Sequence, residues 1–99
     1  MENKSVYTYT GKAQGGKLLR LTLEIEPPLT RDSIIRSIAI HGDFFAHPED
    51  AFDELEQFLV GKPINALSTW FVRGLDQLNI TVYGLLPEDL DIAIAQILS

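Results

Sequence analysis

Histidine and carboxylate side chains are concentrated in one stretch of the chain, HGDFFAHPED at positions 41–50. Its candidate metal ligands are His41, Asp43, His47 and Glu49. On a strand, residues 41 and 43 would point to the same face, as the first two ligands of a zinc site require. The paired spacing of an HExxH motif is missing, and Gly42 and the Phe44-Phe45 pair are expected to interrupt the strand and turn the chain into a helix. A metal-dependent hydrolase is therefore a minor hypothesis beside a simple strand-to-helix connection.

A second set of carboxylates continues into the predicted helix, and paired carboxylates can carry out general acid–base catalysis. The set is Glu49, Asp50, Asp53, Glu54 and Glu56. Their spacing of three and four residues, opposite Phe52, Leu55 and Leu59, is typical of the solvated face of an amphipathic helix. We therefore interpret them as an outer surface, which could also meet a basic partner.

The turn GKAQGGK at positions 11–17 is the third stretch of chemical interest, because glycines beside lysine can approach a phosphate. It is not a P-loop, since Leu18 stands where that motif needs serine or threonine. A hairpin turn flanked by the solvated side chains of Lys12 and Lys17 is the simpler interpretation. The sequence has no cysteine, which argues against a sulfur or iron–sulfur carrier.

Charge and hydropathy argue against several classes of protein, among them nucleic-acid-binding and membrane-spanning proteins. The net charge of −6 argues against nucleic-acid binding, which depends on neutralising phosphates. Residues 1–36 carry six of the eight basic residues, so an anionic ligand would fit best near this part of the chain. No apolar run reaches the roughly 20 residues of a membrane helix. No signal peptide is evident, and we expect a cytoplasmic protein.

Three strands and three helices are predicted to position these residues. Alternating apolar and polar residues predict strands over 5–12, 17–26 and 34–42. Apolar residues at helical spacing predict helices over 48–60, 65–78 and 86–98. Pro48 is expected at the first helical position, Gly74 weakens the second helix, and residues 80–84 could form a short extended segment. The order predicts one two-layer α+β domain over 1–99, a three-stranded antiparallel sheet packed against helices.

Three stretches, taken together, carry a resemblance to a known family. They are GGKLLRLTLEIE at 15–26, IIRSIAIHGDFFAHPEDAFDELEQFLVGKP at 34–63 and ITVYGLLPEDLDIAIAQIL at 80–98. The most specific elements are GGK-L-x-R, GDFF, PED and GKP in this order. Because of these elements, the chain resembles the carboxy-terminal accessory domain of bacterial and archaeal lipoate–protein ligases. The resemblance extends from about residue 6 to residue 98.

The resemblance implies a fold similar to that of iron–sulfur scaffold and sulfur-acceptor proteins. It also implies a non-catalytic small subunit that forms a heterodimer with a large catalytic subunit, and a chain starting at Met1 is like this split arrangement. The large subunit would bind ATP, magnesium and lipoate; this chain alone would bind no cofactor and have no activity. It would be required for ATP-dependent formation of lipoyl-adenylate in protein lipoylation. The resemblance leaves open whether the acyl group is lipoate, octanoate or another carboxylate.

The resemblance also points to two loops that would face the catalytic subunit and close its adenylate site. Their residues are Gly15, Gly16, Lys17, Gly42, Asp43, Phe44 and Phe45. Lys17 is expected to approach a phosphate, whereas the family pattern does not require histidine at His41 or His47. The competing hypothesis is a stand-alone interaction or regulatory domain.

Overall fold

A three-stranded antiparallel sheet forms one layer of the protein. The computed structural model describes residues 5–12 and 17–99. The strands of this sheet are β1 (Ser5–Lys12), β2 (Leu18–Ile25) and β3 (Ile35–Gly42), in the order β1-β2-β3. These strands match the predicted ones to within a residue or two, because the alternation of side chains is strong where one face is buried.

The helices form the second layer. They are α1 (Phe52–Leu59), α2 (Leu67–Gln77) and α3 (Pro87–Leu98), and short 3-10 turns at Glu49–Ala51 and Ile64–Ala66 precede the first two. Two further short strands, β4 (Phe45–His47) and β5 (Thr81–Tyr83), pair antiparallel in a separate ribbon. The predicted α+β class is thus confirmed. Among the helices described, none is long and apolar enough to cross a membrane.

The core lies between the two layers. Every second residue of β2 is buried: Leu19, Leu21, Leu23 and Ile25. A β-bulge at the start of β3 pairs Ile25 with Ile35 and Glu24 with Ser37. The bulge explains why Ile35 and Ile38 both point into the core although they are three positions apart. The helices complete the core with buried side chains of Leu55, Leu59, Leu67, Phe71, Leu90 and Ile94.

The start of α3 agrees with its prediction. Pro87 is its first residue, and the Asp89 carboxylate accepts a hydrogen bond from the Leu86 N–H at 2.8 Å, which satisfies a free donor at the helix start. The start of α1 does not agree. The first helical position predicted for Pro48 is wrong, because its backbone is extended, with a ψ of 140°, and a 3-10 turn intervenes before Phe52.

The connection after β3 also differs from its prediction. Phe44-Phe45 does not turn the chain directly into a helix, since Phe45 begins β4 and pairs with Tyr83. The partner strand lies far along the sequence, so no local pattern around GDFF could indicate this pairing. The short extended segment predicted at 80–84 is confirmed as β5, Thr81–Tyr83.

Candidate partner-binding site

The loop after β3 is held against the start of β2. The Asp43 N–H donates a hydrogen bond to the Leu18 carbonyl oxygen at 2.9 Å. A Cβ placed on Gly42 would lie 2.1 Å from that same oxygen, closer than any side chain can approach. The glycine of GDFF is therefore required by the close passage of two backbones.

The turn after β5 brings a third segment to the same place. Gly84 has a φ of +89°, a conformation that favours glycine. A Cβ on this residue would lie 3.2 Å from Lys17 Cδ and 3.5 Å from both Asp43 O and Phe44 Cα. We call the five residues Lys17, Gly42, Asp43, Phe44 and Gly84 the loop corner. The structure thus brings Lys17 of the first predicted loop next to the second loop.

Two of the predicted site residues cannot be placed in this way. Gly15 and Gly16 lie outside the described residues. Lys17 is exposed and stands one residue before β2, so the sheet fixes its backbone while its side chain passes beside Gly84.

The two phenylalanines of GDFF have different environments. Phe44 is half-buried, and its ring centroid lies 5.3 Å from that of Phe52 in a tilted arrangement. Phe45, in contrast, is 72% exposed. A cleft of about 280 Å³ lies beside them, lined by Phe44, Phe45, Ala46, Glu49 and Phe52. One ring thus helps to build the corner, and the other projects from it.

Tyr83 is a neighbour that the sequence interpretation missed. It lies directly opposite Phe45 in the β4–β5 ribbon and is 61% exposed. Two aromatic side chains on one face of a ribbon form a cross-strand pair. The alternating Thr-Val-Tyr pattern predicted an extended segment, but no local signal predicted its partner strand.

The structure does not gather the four candidate metal ligands. His41 is exposed on β3 opposite Arg20, whereas His47 is exposed on β4 opposite Thr81. Within residues 5–12 and 17–99, no three histidine, aspartate or glutamate side chains lie close enough together to hold a metal ion. The geometry therefore gives no support to a hydrolase that uses His41, Asp43, His47 and Glu49.

One carboxylate of the predicted outer face points inward instead. Glu56 is half-buried, and its Oε2 accepts a hydrogen bond from the Ile40 N–H at 2.8 Å. Desolvation by burial raises the pKa of Glu56, and the hydrogen bond from Ile40 and the charge of His41 oppose this shift. Glu49, Asp50, Asp53 and Glu54 are exposed as predicted.

Together the fold and the candidate site define a small α+β protein with an exposed aromatic side chain, Phe45, beside the loop corner. No protein-family model matches the chain. Lipoate-protein ligase A subunit 2 of Thermoplasma acidophilum is 33% identical over 84 residues, which cover 85% of this chain and 82% of that relative. The chain belongs to the family of lipoate–protein ligase A subunit 2, and this confirms the resemblance seen in its sequence.

A solved structure supports the same assignment. It is described as a bipartite lipoate protein ligase and its E2 lipoyl domain from an archaeal lipoylation system, that of Thermoplasma acidophilum. One of its chains matches 92% of this protein, with 96% of its own length covered, at 32% identity and a TM-score of 0.69. The likeness therefore extends over nearly the whole of both chains.

Proposed function

We propose that this protein is the accessory subunit of a two-part lipoate–protein ligase. It pairs with a separate large catalytic subunit and is required there for ATP-dependent activation of lipoate to lipoyl-adenylate. Its family membership and its similarity to a bipartite ligase support the pairing. The single observation that supports the role in activation is the loop corner, where the Lys17 side chain passes beside Gly84, close to Asp43 and Phe44.

Adenylate formation makes a specific electrostatic demand on a protein. The acyl carboxylate oxygen forms a bond to the α-phosphorus of ATP, and pyrophosphate leaves with the electron pair of the broken P–O bond. Negative charge develops on phosphate oxygens during this step, and a preorganised ammonium group lowers its energy. In our proposal ATP, magnesium and lipoate bind to the large subunit, and Lys17 approaches the phosphates from the accessory subunit.

The rest of the corner has a supporting role in this proposal. Closing an active site with a second surface excludes water and fixes its loops. Gly42, Asp43, Phe44 and Phe45 would serve this closure, and Gly15 and Gly16 are proposed to belong to the same surface.

Exchange of labelled pyrophosphate into ATP, dependent on lipoate and catalysed by the reconstituted pair, tests the role of Lys17. Lys17→Ala should lower the maximum exchange rate about tenfold or more, as expected when a charge-stabilising group is lost. Lys12→Ala is the matched control, because this lysine is a neighbouring cation outside the loop corner, at the end of β1 and opposite Leu18. If Lys17→Ala binds the large subunit and leaves the maximum rate at the wild-type value, the proposed role of Lys17 is wrong.

A further inference from the structure

The β4–β5 ribbon has one inner and one outer face. Ala46 and Val82 are opposite one another and pack against the core. Because side chains alternate along a strand, the adjacent pairs point outward. These are the pair Phe45 and Tyr83 and the pair His47 and Thr81, and all four residues are exposed.

The outer face of the ribbon is unusually apolar at one end. Phe45 and Tyr83 are the two most exposed large hydrophobic side chains of the described residues, at 72% and 61%. Each aromatic side chain of this size can bury roughly 150–250 Å² when it is covered. Leu18, also exposed, follows Lys17 directly, and the exposed Leu86 lies two positions after Gly84. Exposed apolar groups clustered in this way indicate an interaction surface.

Charge further defines the surface. Lys17 lies on the loop-corner side of the ribbon. The cleft beside Phe45 and Phe52 is bordered by Glu49, which begins the exposed carboxylates leading into α1. An arginine or lysine stem can pack along aromatic rings while its cation meets a carboxylate. The cleft therefore suits a long basic side chain.

We propose that the large catalytic subunit docks on the outer face of the β4–β5 ribbon. Phe45 and Tyr83 are its apolar anchors, and a basic side chain of that subunit enters the cleft and pairs with Glu49. This inference rests on the proposed function, which supplies the identity of the partner. It adds Tyr83, Glu49 and strand β5 to the predicted interface. Because Gly84 follows Tyr83 directly, docking here would also turn Lys17 toward the large subunit.

Binding of variants to the purified large subunit, measured by calorimetric titration, tests the anchors. Phe45→Thr and Tyr83→Thr should each raise the Kd about tenfold, as is typical for the loss of a central aromatic side chain. Val6→Thr is the control. Val6 is also exposed, at 59%, but it pairs with Glu24, at the opposite end of the β1–β2 pair from Leu18. It lies six residues from Lys12 along β1, about 20 Å at the usual rise per residue, and its change should leave the Kd as it is.

The charge of the cleft is tested in the same titration. Glu49→Lys should raise the Kd about tenfold and Glu49→Gln by a smaller factor, since only the first places like charges together. Asp91→Lys adds the same charge on an exposed position of α3 and serves as the control. Circular dichroism of each free variant should give the wild-type melting curve, because none of these side chains is buried.

Pyrophosphate exchange separates this inference from the proposed function. The Tyr83→Thr and Glu49→Lys variants should raise the concentration of accessory subunit that gives half-maximal exchange, whereas Lys17→Ala should lower the maximum. If the wild-type protein binds and stimulates exchange but the ribbon variants bind equally well, the docking surface is elsewhere and the proposed function stands. If the wild-type protein neither binds the large subunit nor stimulates exchange, both proposals are wrong.

Discussion

The side chain of Glu56 contacts the sheet, although this residue is predicted to lie on the solvated face of its helix. Its carboxylate reaches across to β3 and satisfies the Ile40 N–H, which stands at the edge of the sheet next to α1. Burial raises the pKa of Glu56 above the ordinary value of 4.5, so the folded protein binds a proton there more tightly than the unfolded chain does. This contribution to stability is complete below pH 4.5 and is lost as the pH rises through the folded-state pKa.

The free energy of unfolding of two Glu56 variants tests this account. Glu56→Gln keeps an oxygen that can accept from Ile40 and should remove this residue's part of the pH dependence between pH 4.5 and neutrality. Glu56→Ala leaves a backbone donor without its partner and should cost about 1–3 kcal/mol. Urea unfolding at both pH values measures each effect. A Gln variant with the full wild-type pH slope would contradict the assignment.

Gly42 is a second residue whose role depends on a contact rather than on its local pattern. Gly42→Ala places a Cβ against the Leu18 backbone oxygen, and no side-chain rotation can relieve this overlap. We expect the substitution to cost about 3 kcal/mol or more in unfolding free energy. Gly61→Ala is the control: its φ of +91° is strained for alanine, but no atom lies within 4 Å of the added Cβ. Its expected cost is about 1–2 kcal/mol, and an equal or smaller cost at Gly42 would disprove the close-passage argument.

At the scale of elements, the main sheet and the helices could be predicted because their side-chain patterns are local. Strong alternation places β2, and apolar spacing places α1, α2 and α3. The β4–β5 ribbon could not be found in this way, since each of its strands has three residues and the two are far apart in sequence. Long-range pairing thus explains why Phe44-Phe45 does not lead directly into a helix, and the 3-10 turn at Glu49–Ala51 explains why α1 starts beyond Pro48.

Gly74 lies where two helices pack together, although from the sequence alone it is expected only to weaken its own helix. An isolated glycine is unfavourable in a helix, by roughly 1 kcal/mol relative to alanine. In the structure Gly74 is buried where α2 meets α1, and a Cβ there would lie 2.5 Å from Leu55 Cδ1 and 2.9 Å from Phe58 Cδ2. The glycine therefore allows the two helices to pack closely.

Gly74→Ala sets helix propensity against this packing. We expect packing to dominate and the variant to be less stable by about 1 kcal/mol, since two core side chains must move. Thr69→Ala, on an exposed position of the same helix, should instead stabilise the protein by a few tenths of a kcal/mol. Thermal unfolding of both variants measures the difference, and a higher melting temperature for Gly74→Ala would show that α1 and α2 are not in close contact here.

At the scale of the whole molecule, the candidate site consists of segments that are far apart in the sequence. Lys17 and GDFF could be assigned through the family resemblance, and the structure brings them together. Tyr83 and Gly84 could not be assigned, because only the pairing of β4 with β5 places them beside GDFF. The metal cluster suggested by residue types in HGDFFAHPED is not formed, since its two histidines lie on different strands. Spacing along the chain thus predicted loops for a candidate site, but it did not predict which segments lie beside them.

The central claim is that this protein activates a separate catalytic subunit. The most direct measurement is lipoate-dependent exchange of labelled pyrophosphate into ATP by the large subunit, titrated with this protein. The account predicts background exchange by the large subunit alone and a saturable rise that reaches its plateau when the accessory subunit is equimolar with it. Full exchange by the large subunit alone, unchanged when the two proteins are shown to bind, would contradict the account and favour a regulatory or purely structural association.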